Sequence, residues 1–524
     1  MKNSSSSNSF LYLFIGIFVV MFFFMGYHRI WNAGPQSIHA WRQSDSYAQA
    51  LTFYHEDLSL WEPHLLFTGE NGDRQAISEF PILYWLTAKI WKITGPRPAV
   101  LRLIDLLLLW LGLFFLARLI YEMVNDWYCA LFAALLTFSS PVLGYYSFNF
   151  IPNVPAFGLA LIGLYFLFRF HRYGKNKDLA VATALYILAS LIKVTALFSL
   201  LAFSGSLVLF YFRQKTDSRK KIWKIVASLF IVLAVYLLWN RYAHSYNKQH
   251  LNGLFNQSII PIWELTPSQI SEIAHKAYHN ILPQYFYPPA YYTIILLSAF
   301  LIFNFKKIDK VWINATLLLF AGIGLFKILF FQGLDEHDYF LTNTLMFVPF
   351  VLICMFDLLQ KKKVNLNALY IKIPASIILL FLLNYSMIVT RSHYNPHQKI
   401  VTHNIHLSKA KQDYWAYVYW TMELQDFQYR GINDYMREIG INYNDLVISL
   451  GDYSPNRTLC WMETKGFTDY YSPDLPLPER IEKLKAMGAK YLVYNENDKI
   501  DLTNIELGPQ IGQYNKIQIY RIAR

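Results

Sequence analysis

Charged side chains near the ends of long apolar stretches are the first candidates for chemistry, because charge beside a membrane is costly unless it is used. Asp45 and Glu79 supply carboxylates, which can take the proton from an attacking hydroxyl group. Lys193, Arg42 and His337 supply groups that can bind a phosphate as it leaves with growing negative charge. Taken alone, a loop aspartate such as Asp45 is more often a solvated or capping residue. The set as a whole predicts a general base beside a phosphate-binding site.

Asn153, Asp338 and Tyr339 are further site candidates, and the first two have a simpler structural explanation. Asn153 stands where an apolar stretch begins, so it could cap a helix. Asp338 could cap the helix expected to begin near Tyr339. Lys193 could extend only its charged end to the membrane surface, and a histidine such as His337 is often just an interfacial residue. A functional site requires that all of these residues converge.

The elements that must position these residues are membrane helices. The chain has 524 residues, of which 55% are hydrophobic and 16% charged, whereas a soluble domain carries about 25% charged residues. About 20 apolar residues cross a bilayer as a helix, in which every backbone polar group is bonded internally. We expect an all-α polytopic membrane protein with about eleven transmembrane helices, at residues 10–27, 98–121, 127–147, 154–171, 179–192, 194–212, 223–241, 291–305, 311–331, 339–359 and 370–390.

The apolar run at residues 179–212 is interrupted by one charge, Lys193. A single helix over this run would be about 50 Å long, too long for a hydrocarbon core of about 30 Å. Two helices with Lys193 at the turn between them solve the problem. The sequence therefore predicts that Lys193 lies at a membrane boundary.

The topology follows from basic residues, which mark cytoplasmic loops. Lys and Arg crowd the loops at 171–178, 212–224, 304–310 and 360–367, and are absent from the sequence at 148–153 and 332–338. The alternation predicts a cytoplasmic N-terminus and an outer C-terminus in a bacterial cytoplasmic membrane. Much of the net charge of +12 is therefore a topology signal, and no nucleic-acid partner is expected.

Three larger pieces then share the outer face. Two are loops at residues 28–97 and 242–290, the second with a surface helix suggested by SQISEIAHKAYHNIL. The third is a tail in which helical patterns alternate with short apolar strands such as DLVISLGD and KYLVYNE. We expect a transmembrane domain at 1–390 and a small extracytoplasmic α/β domain at 391–524.

An ordered set of segments resembles the GT-C superfamily of membrane glycosyltransferases, in the branch of the bacterial protein O-mannosyltransferases and lipid A aminoarabinose transferases (glycosyltransferase families 39 and 83). The segments are WRQSDSYAQA, EFPILYWLTAKIWKITG, RPAVLRLIDLL, IPNVPAFGLALIGLYFLFRF, LASLIKVTALFSLL and EHDYFL, in this order. The resemblance spans roughly residues 10–390 and rests on order and spacing. A soluble α/β tail is also similar to the family.

The resemblance implies many helices around an outward-facing cavity, a polyprenyl-phosphate-linked sugar donor and an inverting transfer to an acceptor outside the cytoplasm. By position, Asp45 matches the family's first-loop aspartate, the general base. Glu79 matches its acidic residue before a proline-aromatic helix. The implied partners are the lipid-linked donor, membrane lipids and a lipid, glycan or protein acceptor. No cofactor and no metal site is firmly predicted, although a divalent metal is possible.

The chain also departs from the family pattern. Ser46 stands where many relatives have a second acidic residue, and Asn153 where some have aspartate. The aminoarabinose branch has Glu-Lys-Pro-Pro where this chain has Glu-Phe-Pro-Ile from residue 79. That branch's phosphate-binding lysine is therefore absent, and Lys193, Arg42 or His337 would have to replace it. These departures argue against aminoarabinose transfer and leave the sugar open.

Two other functions remain possible from the sequence. A transporter or flippase of lipid-linked sugars often has inverted repeats and broken helices at the midplane; no clear repeat is visible, and the carboxylates fall in outer loops. A polymerase or ligase of surface polysaccharide would favour a large outer loop with several arginines, but the loop at 242–290 has only Arg241 beside it. Release of free polyprenyl phosphate would distinguish an enzyme from a transporter.

Overall fold

The apolar stretches form helices in the computed structural model, which describes residues 3–69, 71–214, 219–250, 254–255, 260–335, 337–470, 475–503 and 505–522. The helices of the membrane part are α1 (Asn3–Met25), α2 (Ala40–Glu56), α3 (Ile82–Thr94), α4 (Pro98–Val124), α5 (Trp127–Phe138), α6 (Pro141–Tyr146), α7 (Asn153–Tyr173), α8 (Asn176–Ile192), α9 (Leu197–Phe212), α10 (Arg219–Gln249), α11 (Pro267–Lys276), α12 (Leu282–Tyr285), α13 (Ala290–Phe303), α14 (Lys310–Leu329), α15 (Phe347–Lys361) and α16 (Leu369–Tyr394). Two 3-10 helices, Val194–Ala196 and Asp338–Met346, lead into α9 and α15. The prediction of a helical polytopic membrane protein is confirmed.

Each of the eleven predicted membrane helices overlaps an observed helix. In the described part of the chain, seven helical stretches are long and apolar enough to cross a membrane, or eight if a pair bent by 84° around residues 286–289 is one span. Of the other predicted helices, Ser9–Met25 and Trp127–Phe138 are shorter apolar stretches, and α8 has 17 residues. The stretch at 127–147, for example, is broken because α5 ends at Phe138 and Pro141 begins α6.

Helices α4 and α7 pack unusually closely because glycines face each other. A Cβ atom on Gly112 would lie 2.6 Å from the Cα of Gly158, and small residues allow such approach between membrane helices. On the same helix α4, Arg102 is buried and donates to the carbonyl of Ala33 over 2.9 Å. The backbone that leads into α2 is thereby tied to the membrane helices.

The segment at 28–97 is more ordered than the predicted outer loop. It contains α3, which the amphipathic pattern at 82–95 indicated, and also α2, which we did not predict. Helix α2 buries a polar series that includes Gln43, Ser44 and Gln49. The apolar stripe that usually reveals a helix is therefore missing from its buried face.

The loop at 242–290, the second predicted outer piece, contains the predicted surface helix, α11. The Thr266 side chain caps its N-terminus, and Gln269 completes a capping box. A π-helical turn, Ala277–Ile281, joins it to α12.

The tail carries a five-stranded sheet with helices around it. The strands are β1 (Leu446–Leu450), β2 (Lys465–Thr468), β3 (Ala489–Asn495), β4 (Gln510–Tyr514) and β5 (Ile517–Arg521), in the spatial order β2-β1-β3-β5-β4. The helices are α17 (Lys399–Thr402), α18 (Lys409–Leu424), α19 (Ile432–Glu438), α20 (Arg457–Met462) and α21 (Leu477–Ala486). Strands β1, β2 and β3 are parallel, whereas β5 runs antiparallel to both β3 and β4. The α/β prediction for the tail is confirmed.

Backbone hydrogen bonds join the sheet to the segment at 28–97. The amide of Thr68 donates to the carbonyl of Gly466 over 2.7 Å, and the amide of Gly466 donates to the carbonyl of Leu66 over 3.1 Å. Gly466 has no room for a side chain, since a Cβ atom there would collide with the backbone of Val447. This junction brings α20 of the tail against α2.

Candidate active site

Asp45 lies on α2 at the contact with the tail. Its carboxyl group is 2% exposed, and Nδ2 of Asn456 donates to it over 2.9 Å. Asn456 immediately precedes α20, and the next turn of α20 reaches α2 through Cys460, whose thiol contacts the carbonyl of Ser44. Burial raises the pKa of Asp45 to about 7, against the opposing charge of Arg42 and the hydrogen bond from Asn456.

Glu79 stands in a different environment, although it is also largely buried. Arg42 donates to its two carboxylate oxygens over 2.5 and 2.7 Å, and the hydroxyl of Tyr84 donates to it as well. Burial by itself would raise the pKa of Glu79, but the charges of Arg42 and Lys193 outweigh it, so that the pKa lies below its ordinary value. Glu79 is therefore an ionised partner of Arg42.

Lys193 occupies the predicted turn between α8 and the 3-10 helix Val194–Ala196. Next to it, the carbonyl of Leu191 accepts from the amide of Phe80, which holds the Glu79 loop near the Lys193 turn. Burial lowers the pKa of Lys193 to about 8, although Glu79 opposes the change. The Lys193 ammonium lies 5.5 Å from the ring centre of Phe340 and has no ion-pair partner among the described carboxylates.

Asp338 does not cap the helix that follows it, contrary to the simpler explanation above. The residue before that helix is His337, and it makes no capping bond with its side chain either. Asp338 instead accepts hydrogen bonds from the hydroxyl of Tyr146 and from Nε2 of His39, the latter at 3.2 Å. Two groups thus contact Oδ1 of Asp338, against one hydrogen bond to Asp45, so Asp338 is a weaker candidate for a base than Asp45.

His337 and Asn153 complete the far side of the site. The ring of His337 lies 5.8 Å from that of His39, and burial together with His39 lowers the pKa of His337 to about 4. The imidazole is therefore neutral near pH 7. Asn153 is the first residue of α7 but does not cap it; its Nδ2 donates to the carbonyl of Tyr339 over 2.9 Å. Asn153 thus fixes the backbone that carries His337 and Asp338.

The structure brings the eight predicted site residues into one region. Arg42 is its electrostatic centre, because it interacts with Glu79, Asp45 and Tyr339. Lys193 interacts with both Glu79 and Arg42. The side chains can therefore surround one substrate with a carboxyl group on one side and two cations beside it.

Four contributors were not identified from the sequence: His39, Tyr84, Tyr146 and Asn456. His39 lies close to Arg42 in the sequence and Tyr84 close to Glu79, so a prediction that included the neighbouring positions would have named both. Asn456 lies far away in the sequence and has no local signal.

A metal site is not apparent from side-chain grouping. Within the described ranges, no three His, Cys, Asp or Glu side chains lie together as a metal ion requires. Arg42 and Lys193 are cationic groups in this region, and Lys193 interacts with Arg42.

Comparison with known proteins is consistent with this arrangement. Residues 78–239 match the family model described as dolichyl-phosphate-mannose-protein mannosyltransferase, a segment that includes Glu79, Asn153 and Lys193. No curated protein matches the chain significantly.

Two solved structures share the fold over nearly the whole length of both chains. They are ArnT from Cupriavidus metallidurans in the apo state, with 10% identity, 98% coverage of each chain and a TM-score of 0.55, and the same protein bound to undecaprenyl phosphate, with 11% identity, 98% coverage of each chain and a TM-score of 0.56. At such identities the likeness shows the fold. The chain is therefore similar to a mannosyltransferase family over residues 78–239 and to ArnT in its fold.

Proposed function

We propose that the protein transfers a sugar from a polyprenyl-phosphate-linked donor to an acceptor on the outer face of a bacterial cytoplasmic membrane, with inversion at the sugar carbon. Asp45 is the general base. The observation that carries the proposal is the buried Asp45 carboxyl, with a pKa of about 7, beside the cation Arg42, which in turn interacts with Lys193. A base with a pKa near the working pH combines the ionised form with enough basicity to remove a proton.

The transfer is a single displacement. The acceptor oxygen forms a bond to the sugar carbon as its proton passes to the Asp45 carboxylate. The bond between the sugar carbon and the phosphate oxygen breaks on the opposite face, and polyprenyl phosphate leaves with the electron pair. Attack and departure on opposite faces invert the sugar carbon, and no covalent enzyme intermediate is needed.

The leaving phosphate gains negative charge, and preformed positive groups stabilise that charge. Arg42 and Lys193 have this role in the proposal, and neutral His337 can add a hydrogen bond. Glu79 holds Arg42 in place through its two hydrogen bonds. Support for the donor class comes from the family description, which names a dolichyl-phosphate sugar, and from the similar ArnT structure with undecaprenyl phosphate.

The tail has an accessory role in this proposal. Residues 391–524 form an outer domain that covers the site and contacts the base, and residues 1–390 carry the phosphate-binding and catalytic groups. The acceptor is a lipid, a glycan or a protein hydroxyl group that enters between these two parts. The described residues favour no one of these acceptors.

The sidedness has a direct test. A reporter that is active only in the cytoplasm should be silent when fused after Arg524 and active when fused before residue 1. Activity of the C-terminal fusion would place the tail and the carboxylates on the cytoplasmic side and contradict the proposed outer reaction.

The activity itself is tested with purified protein in lipid nanodiscs supplied with a polyprenyl-phosphate mannose donor and membrane extract as acceptor. We expect free polyprenyl phosphate to accumulate and the label from mannose to appear in the acceptor fraction. Asp45→Asn should release little polyprenyl phosphate. A flippase would move the intact donor across the bilayer without releasing it, so movement without release would support the alternative and exclude the transferase.

A further inference from the structure

A polar cavity lies away from the candidate active site, where the membrane part meets the tail. It has a volume of about 460 Å³, within the roughly 300–1,000 Å³ of small-molecule sites. Gly26, just after α1, and Tyr394, at the end of α16, line it from the membrane part. Phe427 and Trp461 line it from the tail. The cavity is therefore at the level where two apolar helices leave the membrane.

Three arginines line this cavity, and no aspartate or glutamate is among its described lining residues. Arg29, Arg391 and Arg430 also have no salt bridge to any carboxylate in the described part of the chain. Asp426, which interacts electrostatically with Arg430, is already held by two hydrogen bonds from Arg457 at 2.6 Å. The cavity thus concentrates positive charge without a protein counter-charge.

The guanidinium groups are held mainly by neutral acceptors. Arg29 donates to Oε1 of Gln398 over 2.7 Å, and Arg430 donates to Oε1 of Gln36 over 3.1 Å. Arg430 also lies over the ring of Phe427, at 3.3 Å from its centre. These contacts orient the arginines and leave further N–H donors on each, which suits recognition of a tetrahedral oxyanion.

Arg391 differs from the other two, since its donors are used by the protein. They bond to the carbonyls of Phe23 and Phe24, at the C-terminal end of α1. Arg391 therefore fixes α1 against α16 and adds charge to the cavity. Arg29 and Arg430 are the residues that can be changed without breaking this helix contact.

A layer of aromatic side chains separates the cavity from the candidate active site. Tyr394 lines the cavity and donates to the carbonyl of Tyr145 over 3.1 Å. Tyr145 in turn packs against Tyr146, and Tyr146 bonds Asp338 on the other side. The three arginines are thus distinct from Arg42 and Lys193.

We infer that this cavity binds a phosphate-bearing anion, in particular the headgroup of an anionic lipid in the leaflet next to the tail. Its charge, its volume and its place at the helix ends carry the inference, which does not depend on the transfer reaction. The same chemistry would also accept a free phosphate. The bound anion would compensate the mutual repulsion of Arg29 and Arg391 and join the tail to the membrane.

The test is a titration of the purified full-length protein, in neutral detergent, with phosphatidylglycerol, phosphatidylcholine and inorganic phosphate. Binding is followed by native mass spectrometry for the lipids and by the thermal unfolding midpoint for all three. We expect phosphatidylglycerol to bind more tightly than phosphatidylcholine, and the double variant Arg29→Gln/Arg430→Gln to bind it at least about tenfold more weakly. Arg97→Gln, an exposed arginine before α4, is the matched control and should bind normally.

The outcomes separate the two sources of anion. Tight binding of phosphatidylglycerol that is lost in the double variant supports the lipid headgroup. Equal stabilisation by inorganic phosphate, also lost in the double variant, supports a soluble phosphate. If the double variant and the unchanged protein respond alike to every probe, the inference is wrong. Should the double variant fail to fold, Arg29→Gln alone gives the same comparison, because Arg29 is exposed and its side chain donates to Gln398.

Discussion

The two catalytic candidates, Asp45 and Glu79, lie in neighbouring regions that shift the pKa of a carboxyl group in opposite directions. Under the tail, Asp45 has one neutral partner, Asn456, and its pKa rises to about 7. Between α2 and α3, both carboxylate oxygens of Glu79 accept from one nitrogen of Arg42, and its pKa is lowered. From residue type alone, the two carboxyl groups would be expected to have similar pKa values and the same role. Their surroundings leave only Asp45 able to exchange a proton near neutral pH, while Glu79 serves as a fixed charge.

The largest effect should come from removing the exchangeable carboxylate. Asp45→Asn keeps the shape of the side chain but cannot accept the acceptor's proton, so the transfer rate should fall by a factor on the order of 10²–10⁴. Membrane insertion and donor binding should be normal. Asp57→Asn, an exposed carboxylate just after the same helix, is the control and should transfer at the normal rate. If Asp45→Asn stays active while Glu79→Gln is inactive, the two roles are exchanged.

Breaking the fixed ion pair should affect stability more than proton transfer. Glu79→Gln leaves Arg42 largely buried without its counter-charge, which should lower the free energy of unfolding by about 3 kcal/mol. Since the charge of Glu79 raises the pKa of Asp45, its loss should also move the acidic limb of the rate profile to lower pH. Chemical denaturation and a pH–rate profile measure the two effects. An unchanged stability would mean that the pair contributes little to the fold.

Lys193 should affect how the lipid-linked donor binds and reacts. Lys193→Met removes one of the two cations proposed to bind the leaving phosphate, so the apparent KM for the lipid-linked donor should rise about tenfold and kcat should also fall. Lys327→Met is a suitable control, because Lys327 is a half-buried lysine on α14 that has no part in the site. Normal kinetics for Lys193→Met would leave Arg42 as the principal phosphate ligand.

The smallest expected effect tests the partner from the tail. In the unchanged protein the rate should fall as the pH drops below about 7, since Asp45 is then protonated. Asn456→Ala removes a hydrogen bond that lowers the pKa of Asp45, so this acidic limb should move to higher pH and the rate at pH 6 should drop about threefold. The rate at pH 8.5, where Asp45 is ionised in both proteins, should change little. A uniform loss at all pH values would indicate a structural role alone.

The membrane part was largely predictable because its two signals are strong and local. Long apolar runs indicated the helices, and a single interior charge correctly located the turn at Lys193. Helix α2 was missed because residues 43–53 are all buried and mix polar side chains such as Gln43 and Gln49 with apolar ones, so that no apolar stripe stands out. Helix α2, which carries the proposed base Asp45, is thus a helix that its composition does not reveal.

In the tail, the strands with continuous apolar character were identified and the others were not. β1 and β3 are mostly buried, whereas β4 has no buried residue. The convergence of Arg42, Glu79 and Lys193 followed from topology, since the predicted loops share one side. The contact between Asp45 and Asn456 joins positions far apart in the chain, and a single sequence carries no signal for such a pair.

The junction of Leu66 and Thr68 with Gly466 has a consequence for how the molecule is made. β2 is an edge strand of the tail sheet, and the bonds to Gly466 cover that edge, which would otherwise be open to pairing with other chains. Synthesis proceeds at roughly 5–20 residues per second, so the roughly 400 residues between the two partners take about 20–80 s to appear. During that interval the segment at 28–97 lacks its hydrogen-bonding partner, β2. Assembly of the base with its amide partner is therefore a late event, completed only after nearly the whole chain has left the ribosome.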